Sequence, residues 1–131
     1  MPGYAPACYG QGVAGRAFIV FGGKRILRLD YSELTPAEVI ACMREAQHGI
    51  AAEPARSVRL LCMAPRHLTG KMIEALKDFA AENAPFVLAT AVVGASPFQK
   101  AAILLTLTGR GWFSVEAFDI EEWAKDWLAG M

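Results

Sequence analysis

Two short apolar runs, Ser57 to Met63 and Phe86 to Val93, alternate with segments that open on helix-capping residues. That alternation constrains the fold more than any other feature. Runs this short cannot be long amphipathic helices, and they are too continuous for a sheet with one wet face. They fit strands buried on both sides. Strand and helix in turn imply right-handed crossovers and a mostly parallel sheet.

The caps are explicit. In Thr35-Pro36-Ala37-Glu38, Thr35 can cap, Pro36 suits the first helical position and Glu38 can reach back. Val39, Ile40, Met43, Ala46 and Ile50 keep helical spacing, and Gly49 stands where a helix-ending glycine is expected. A second helix begins near Thr69, with Met72, Ile73, Leu76, Phe79 and Ala80 inward, and Pro85 stops it. Ser96-Pro97-Phe98-Gln99 repeats the cap logic for a third helix that runs to about Thr108. Trp112 to Phe118 is the last expected strand. Asp119 is expected to cap a final helix with Ile120, Trp123, Trp127 and Leu128 as its apolar stripe.

Upstream, Arg16 to Phe21 and Lys24 to Leu29 are β-type runs joined by Gly22-Gly23, the signature of a hairpin. The expected order is β-β-α-β-α-β-α-β-α, an α/β fold with a mixed, mostly parallel sheet. Residues 1–15 hold Gly, Pro, Ala and Tyr without charge and read as an irregular arm; residues 16–131 read as one domain.

Composition narrows the function classes. The chain has 131 residues, 54% of them hydrophobic, with 13 basic and 13 acidic side chains and no net charge. A chain of this mass buries about two thirds of its unfolded surface, enough for a core without staples. High apolarity argues against disorder. Balanced charge removes the general argument for nucleic acid, because phosphate binding needs a basic face. Arg16, Lys24, Arg25 and Arg28 do cluster on the hairpin, a pattern that more often protects an edge strand. Cys8, Cys42 and Cys62 are odd in number and form no C-x-x-C pair, so neither a disulfide framework nor a zinc site is indicated. Cys42 and Cys62 read as small core residues. No signal peptide or spanning segment is visible, and a cytoplasmic location is expected.

Catalytic patterns are missing. Gly94 to Lys100 lacks the second glycine of a phosphate loop, and Phe98 stands where a nucleophile elbow needs glycine. No cofactor or metal is implied. Ser96 is foremost a helix cap; its sharper reading is an anion site helped by Lys100. Arg66 and His67 follow an expected parallel strand, where α/β sheets bind ligands. An enzyme would need these two gathered with an acid such as Asp30.

The third helix is the oddity. From Phe98 to Leu107 it is apolar on nearly every side, with Lys100 its only charge. Such a helix is covered or meets something apolar. Phe98, Ile103, Leu104 and Leu107 are therefore the candidate contact residues, for a protein partner, a second copy, an apolar ligand, a membrane surface or the arm.

Ile26-Leu27-Arg28-Leu29-Asp30-Tyr31-Ser32 with Leu34 and Glu38, Ser57-Val58, Leu76-Lys77-Asp78-Phe79-Ala80 with Asn83 and Pro85, Ala91-Val92-Val93-Gly94, and Phe118-Asp119 with Glu121-Glu122 and Trp127-Leu128 together resemble the SpoIIAA-like family of bacterial STAS (sulfate transporter and anti-sigma-factor antagonist) domains. The resemblance spans about four fifths of the chain. It implies a mixed sheet of about five strands with about four helices mainly on one face, and a non-enzymatic regulatory or protein-interaction role. Antagonists of this kind switch by phosphorylation of a serine at a helix start. At that place this chain has Arg66-His67-Leu68-Thr69-Gly70, with Thr69 the nearest hydroxyl and the family's acid and serine absent. Met63 stands where many members carry Asp. Relatives with a Sec14-like fold hold apolar ligands, so a carrier or sensor of a small apolar ligand or lipid is the alternative expectation, with Trp112, Phe113 and Phe118 as further apolar material.

Overall fold

In a computed structural model, described over residues 18–112 and 114–131, the chain forms β1 (Phe18–Phe21), β2 (Lys24–Asp30), α1 (Pro36–Ala51), β3 (Val58–Met63), α2 (Gly70–Asn83), β4 (Val87–Val93), α3 (Pro97–Thr108), β5 (Val115–Phe118) and α4 (Glu121–Ala129). This is the expected α/β order. The five strands make one mixed sheet in sequential order, antiparallel only between β1 and β2. The whole N-terminal arm, residues 1–15, lies outside the described residues, as do Arg16, Ala17 and Phe113.

The hairpin pairs Phe21 with Lys24 across a two-residue turn. Gly22 and Gly23 sit at φ 58° and 78°, the left-handed pair that a twist-compatible turn requires. Because β2 to β5 succeed one another in sequence and space, crossovers of one hand put α1, α2 and α3 on the same face. Leu27, Leu29, Val58, Leu60 and Val92 meet them there, with Val39, Cys42, Met72, Phe79, Ile103 and Leu107 from the helices. The opposite face has no crossover to cover it. Helix α4 folds back over it instead, setting Ala124 and Leu128 against Ile26, Leu61, Ala89 and Ala91. The alanines of β4 form a low floor that lets this nine-residue helix lie close.

Several local expectations are corrected. Helix α1 runs past Gly49 to Ala51, because Ile50 is fully buried and continuing the helix keeps it in the core. Strand β5 starts at Val115, not Trp112. Trp112 leaves the strand to plug the core, its Nε1–H donating to Ala80 O at 2.7 Å and its ring tilted against Phe79. Asp119 does not cap α4; Ile120 occupies that position without a side-chain bond, and Glu121 and Glu122 supply negative charge to the first turn. The stripe on α4 is also rotated. Ala124 and Leu128 face in, whereas Trp123 is 58% exposed. Cys42 is buried as expected, but it is disulfide-bonded, whereas Cys62 is free. Arg28 belongs to an interior strand, and its role is an ion pair, not edge protection.

Candidate functional site

Three features could carry function: a crevice at the strand ends, the outer face of α3, and a cavity beneath α2 and α3.

The crevice arises from the topology. After β4 the chain turns to one face and enters α3; after β5 it turns to the other and enters α4. Neighbouring loops that diverge in this way leave a gap at the carboxyl ends of the strands, where open α/β sheets bind ligands. Here it is a broad, open space of about 710 Å³ lined by Arg28, Asp30, Ser32, Glu33, Arg66, Ser96, Gln99, Asp119 and Glu121 among others. Carboxylates outnumber cations on this lining, and both arginines are engaged. Arg28 Nε donates to Glu121 Oε2 at 2.8 Å and lies 3.7 Å from Asp30, while Arg66 meets Glu33 at 3.4 Å. The hydrogen bond from Arg28, with its charge and that of Lys125, holds the Glu121 carboxyl below its ordinary range against the opposing effect of burial. Asp30 also accepts from Ser32 N–H and Oγ–H, closing a tight turn after β2.

The sequence-derived candidates divide. Arg66 and Ser96 line the crevice together, and Asp30 lies with them; His67 and Lys100 do not line it. His67 is exposed on the preceding loop and Lys100 is half-buried on α3. Thr69 caps α2, its hydroxyl accepting from Met72 N–H at 3.2 Å. Ser96 caps α3, its hydroxyl accepting from Gln99 N–H at 3.2 Å. Pro97 contributes no N–H to that helix end, so few donors there remain for an anion.

Sequence reasoning assigned Gln99 only to the cap. Its Oε1 does accept from Ser96 N–H at 3.0 Å, but its Nε2 also donates to Pro65 O at 3.0 Å and Arg66 O at 3.4 Å. This buried amide ties the start of α3 to the β3–α2 loop. The position three residues into a capped helix signals the first bond; nothing local signals the second.

On α3 the four candidate contact residues separate by direction. Ile103 and Leu107 are buried against the core, Leu104 is half-buried, and Phe98 is 75% exposed. Leu105, seven residues from Phe98 and hence on the same side of the helix, is 76% exposed. Ala101 and Ala102 lie between them. The outer face is therefore an uncharged apolar stripe open to solvent.

Beneath α2 and α3 lies the third feature, an apolar cavity of about 50 Å³ against the sheet, with walls that include Tyr31, Leu60, Cys62, Leu68, Met72, Thr90, Ile103 and Trp112. Desolvation pushes the Cys62 thiol up to about 12. Cys62 lines this cavity, and a thiol held so high is a poor nucleophile. Thr90 is 1% exposed, and its hydroxyl has no hydrogen-bond partner.

Compared with known proteins, the chain matches no family model, no curated protein and no solved structure. Among the described residues, no helix is long and apolar enough to cross a membrane, and no three His, Cys, Asp or Glu side chains are grouped to hold a metal ion.

Proposed function

We propose that the chain is a non-catalytic, STAS-like interaction module that pairs with a second copy of itself through the outer face of α3. The observation that carries this reading is the joint exposure of Phe98 and Leu105, at 75% and 76%. Large apolar side chains are commonly exposed singly; two on one uncharged helix stripe mark a contact face. A second copy fits for three reasons. The stripe is self-complementary in an antiparallel helix pair, because Phe98 of one copy would stand opposite Leu105 of the other. Ala101 and Ala102 between them permit a close crossing. The zero net charge leaves no long-range repulsion between copies. The resemblance to SpoIIAA-like domains supports the regulatory side of the reading.

Sedimentation equilibrium tests it. The chain is expected to dimerise with rising concentration, and Phe98→Glu and Leu105→Glu are each expected to give monomers with unchanged thermal stability. A wild-type chain that stays monomeric, or variants that still dimerise, would overturn the proposal.

A second reading, a sensor of a small molecule, is favoured by the cavity. About 50 Å³ is too small for an acyl chain, which narrows that reading from lipid carriage to molecules of a few atoms.

A further inference from the structure

The sheet ends on β5, and the outer edge of that strand is open. Thr90 N–H donates to Ser114 O at 2.8 Å and Gly94 N–H to Phe118 O at 3.0 Å. Alternate residues of a strand direct their backbone groups to the same side, so Ser114, Glu116 and Phe118 bond to β4. Val115 and Ala117 therefore point their N–H and C=O groups away from β4, and among the described residues no strand lies beyond them. Such an edge is a template for a further strand.

Beside that edge stands an aromatic flank. Phe118 faces α4, where its ring meets Trp127 at 5.7 Å between centroids. Trp123, one turn earlier on α4, lies on the same flank and is more than half exposed. Glu116, two residues before Phe118, shares its face of the sheet and is exposed. Charge is one-sided here. Between Arg110 and Lys125 the chain holds Glu116, Asp119, Glu121 and Glu122 and no basic residue. Glu121 is met by Arg28 and Glu122 by Lys125, but among the described residues Glu116 and Asp119 have no cation partner. A cation seated over an open indole and beside a carboxylate gains from both. A second copy does not fit this edge. The antiparallel register that engages Val115 and Ala117 of both chains sets the Glu116 of each copy opposite the other, and like charges directly opposite destabilise a sheet.

We infer that β5 accepts an extended peptide segment of another protein as a further strand, with lysine or arginine at the positions that face α4. Val115 and Ala117 supply the backbone bonds, and Trp123 and Glu116 select the basic side chains. This surface is separate from the outer face of α3, so the inference does not depend on self-pairing.

The test titrates the full, isotope-labelled chain with two short capped peptides, Val-Lys-Val-Lys-Val and Val-Glu-Val-Glu-Val. The lysine peptide is expected to shift the amide resonances of Val115 and Ala117 and the indole N–H of Trp123 saturably. The glutamate peptide should bind at least about fivefold more weakly. Ala117→Pro removes an outward donor, and proline is tolerated where an edge N–H faces solvent. It should weaken the lysine peptide roughly fivefold. Glu116→Lys should reverse the preference between the peptides, a result that general loss of structure does not give. Should Ala117→Pro not fold, that reversal decides alone. Phe98→Glu should leave peptide binding unchanged, so this inference and the pairing through α3 fail separately. Equal binding of the two peptides overturns the basic partner, and full binding by a folded Ala117→Pro chain overturns strand addition. If neither peptide shifts Val115 and Ala117, the inference falls. In the peptide-free chain, protection of those two amides that grows with concentration and persists in Phe98→Glu would overturn it too, by placing a second copy on the edge.

Discussion

Arg28 Nε lies 2.8 Å from Glu121 Oε2, and its terminal nitrogen lies 3.2 Å from Glu121 Oε1, joining the second strand to the first turn of the last helix across 93 positions of sequence. The two-point geometry fixes how the start of α4 approaches the sheet. Among the described residues, helix α4 is the cover of one sheet face, so this pair positions an element whose loss would open the smaller of the two core clusters.

The pair should be visible in the pH dependence of stability. Glu121 has its folded-state pKa lowered, first by the hydrogen bond from Arg28. Its contribution is therefore complete above the unfolded carboxyl value of about 4.3 and is lost as pH falls through the lower folded value. Both side chains are partly solvated, so a coupling of only about 0.5–1 kcal/mol is expected from a double-mutant cycle of Arg28→Met and Glu121→Gln. Urea denaturation of Arg28→Met should show that loss at pH 7 and a smaller one at pH 3. An equal loss at both values would mean that Arg28 acts through packing alone.

The other end of α4 is held by Arg59. Its Nε donates to Leu128 O at 3.1 Å and its terminal nitrogen to Met131 O at 2.7 Å. A cation on helix-terminal carbonyls supplies hydrogen bonds and favourable alignment with the helix dipole. Arg59→Met, which keeps most of the apolar stem, should cost roughly 1–2 kcal/mol. The loss should be local: amide hydrogen exchange within residues 124–128 should speed up more than exchange in β3 and β4. A uniform acceleration across the sheet would contradict the assignment of Arg59 to the helix end.

What the sequence made legible follows from the range of each interaction. The hairpin turn, the Thr35 and Ser96 caps and the buried β3 and β4 runs are set by residues within a few positions of one another, and each was readable. The features that position the candidate sites act across the fold. Arg59 looks like the flank of an apolar run until α4 arrives above it. Trp112 has a strand former's composition, yet the carbonyl of Ala80 draws it into the core. On α4, Ile120, Trp123 and Trp127 outweigh Ala124 in any count of apolar bulk. The small floor of Ala89 and Ala91 nevertheless selects the face with the small residue. Cavities are invisible to sequence altogether, because they are what the side chains fail to fill.

Thr90 allows a test of a buried hydroxyl on stability alone. Its buried hydroxyl is unpaired, and Thr90→Val removes it at nearly constant volume. Stability should therefore rise by about 1 kcal/mol, against the usual trend of core substitutions. Thermal unfolding measures it. A destabilised Thr90→Val chain would show that the hydroxyl has a partner in solution.

Gln99 offers the sharpest separation of local from tertiary rules. By helix-capping logic alone, Gln99→Glu should be neutral or stabilising, since glutamate at the third helical position completes a capping box and suits the positive helix end. The structure predicts the reverse. The buried Nε2 that donates to Pro65 O and Arg66 O would be replaced by an oxygen facing two carbonyl oxygens. Both carbonyls would lose their donor, and a carboxylate would be held beside them in a buried site. Gln99→Glu should cost more than about 2 kcal/mol at neutral pH. The deficit should shrink as pH falls toward 4, because a protonated carboxyl can donate one of the lost bonds. Chemical denaturation of the variant across that range reads both effects, and a stability equal to wild type at pH 7 would show that the β3–α2 loop is not held by this amide.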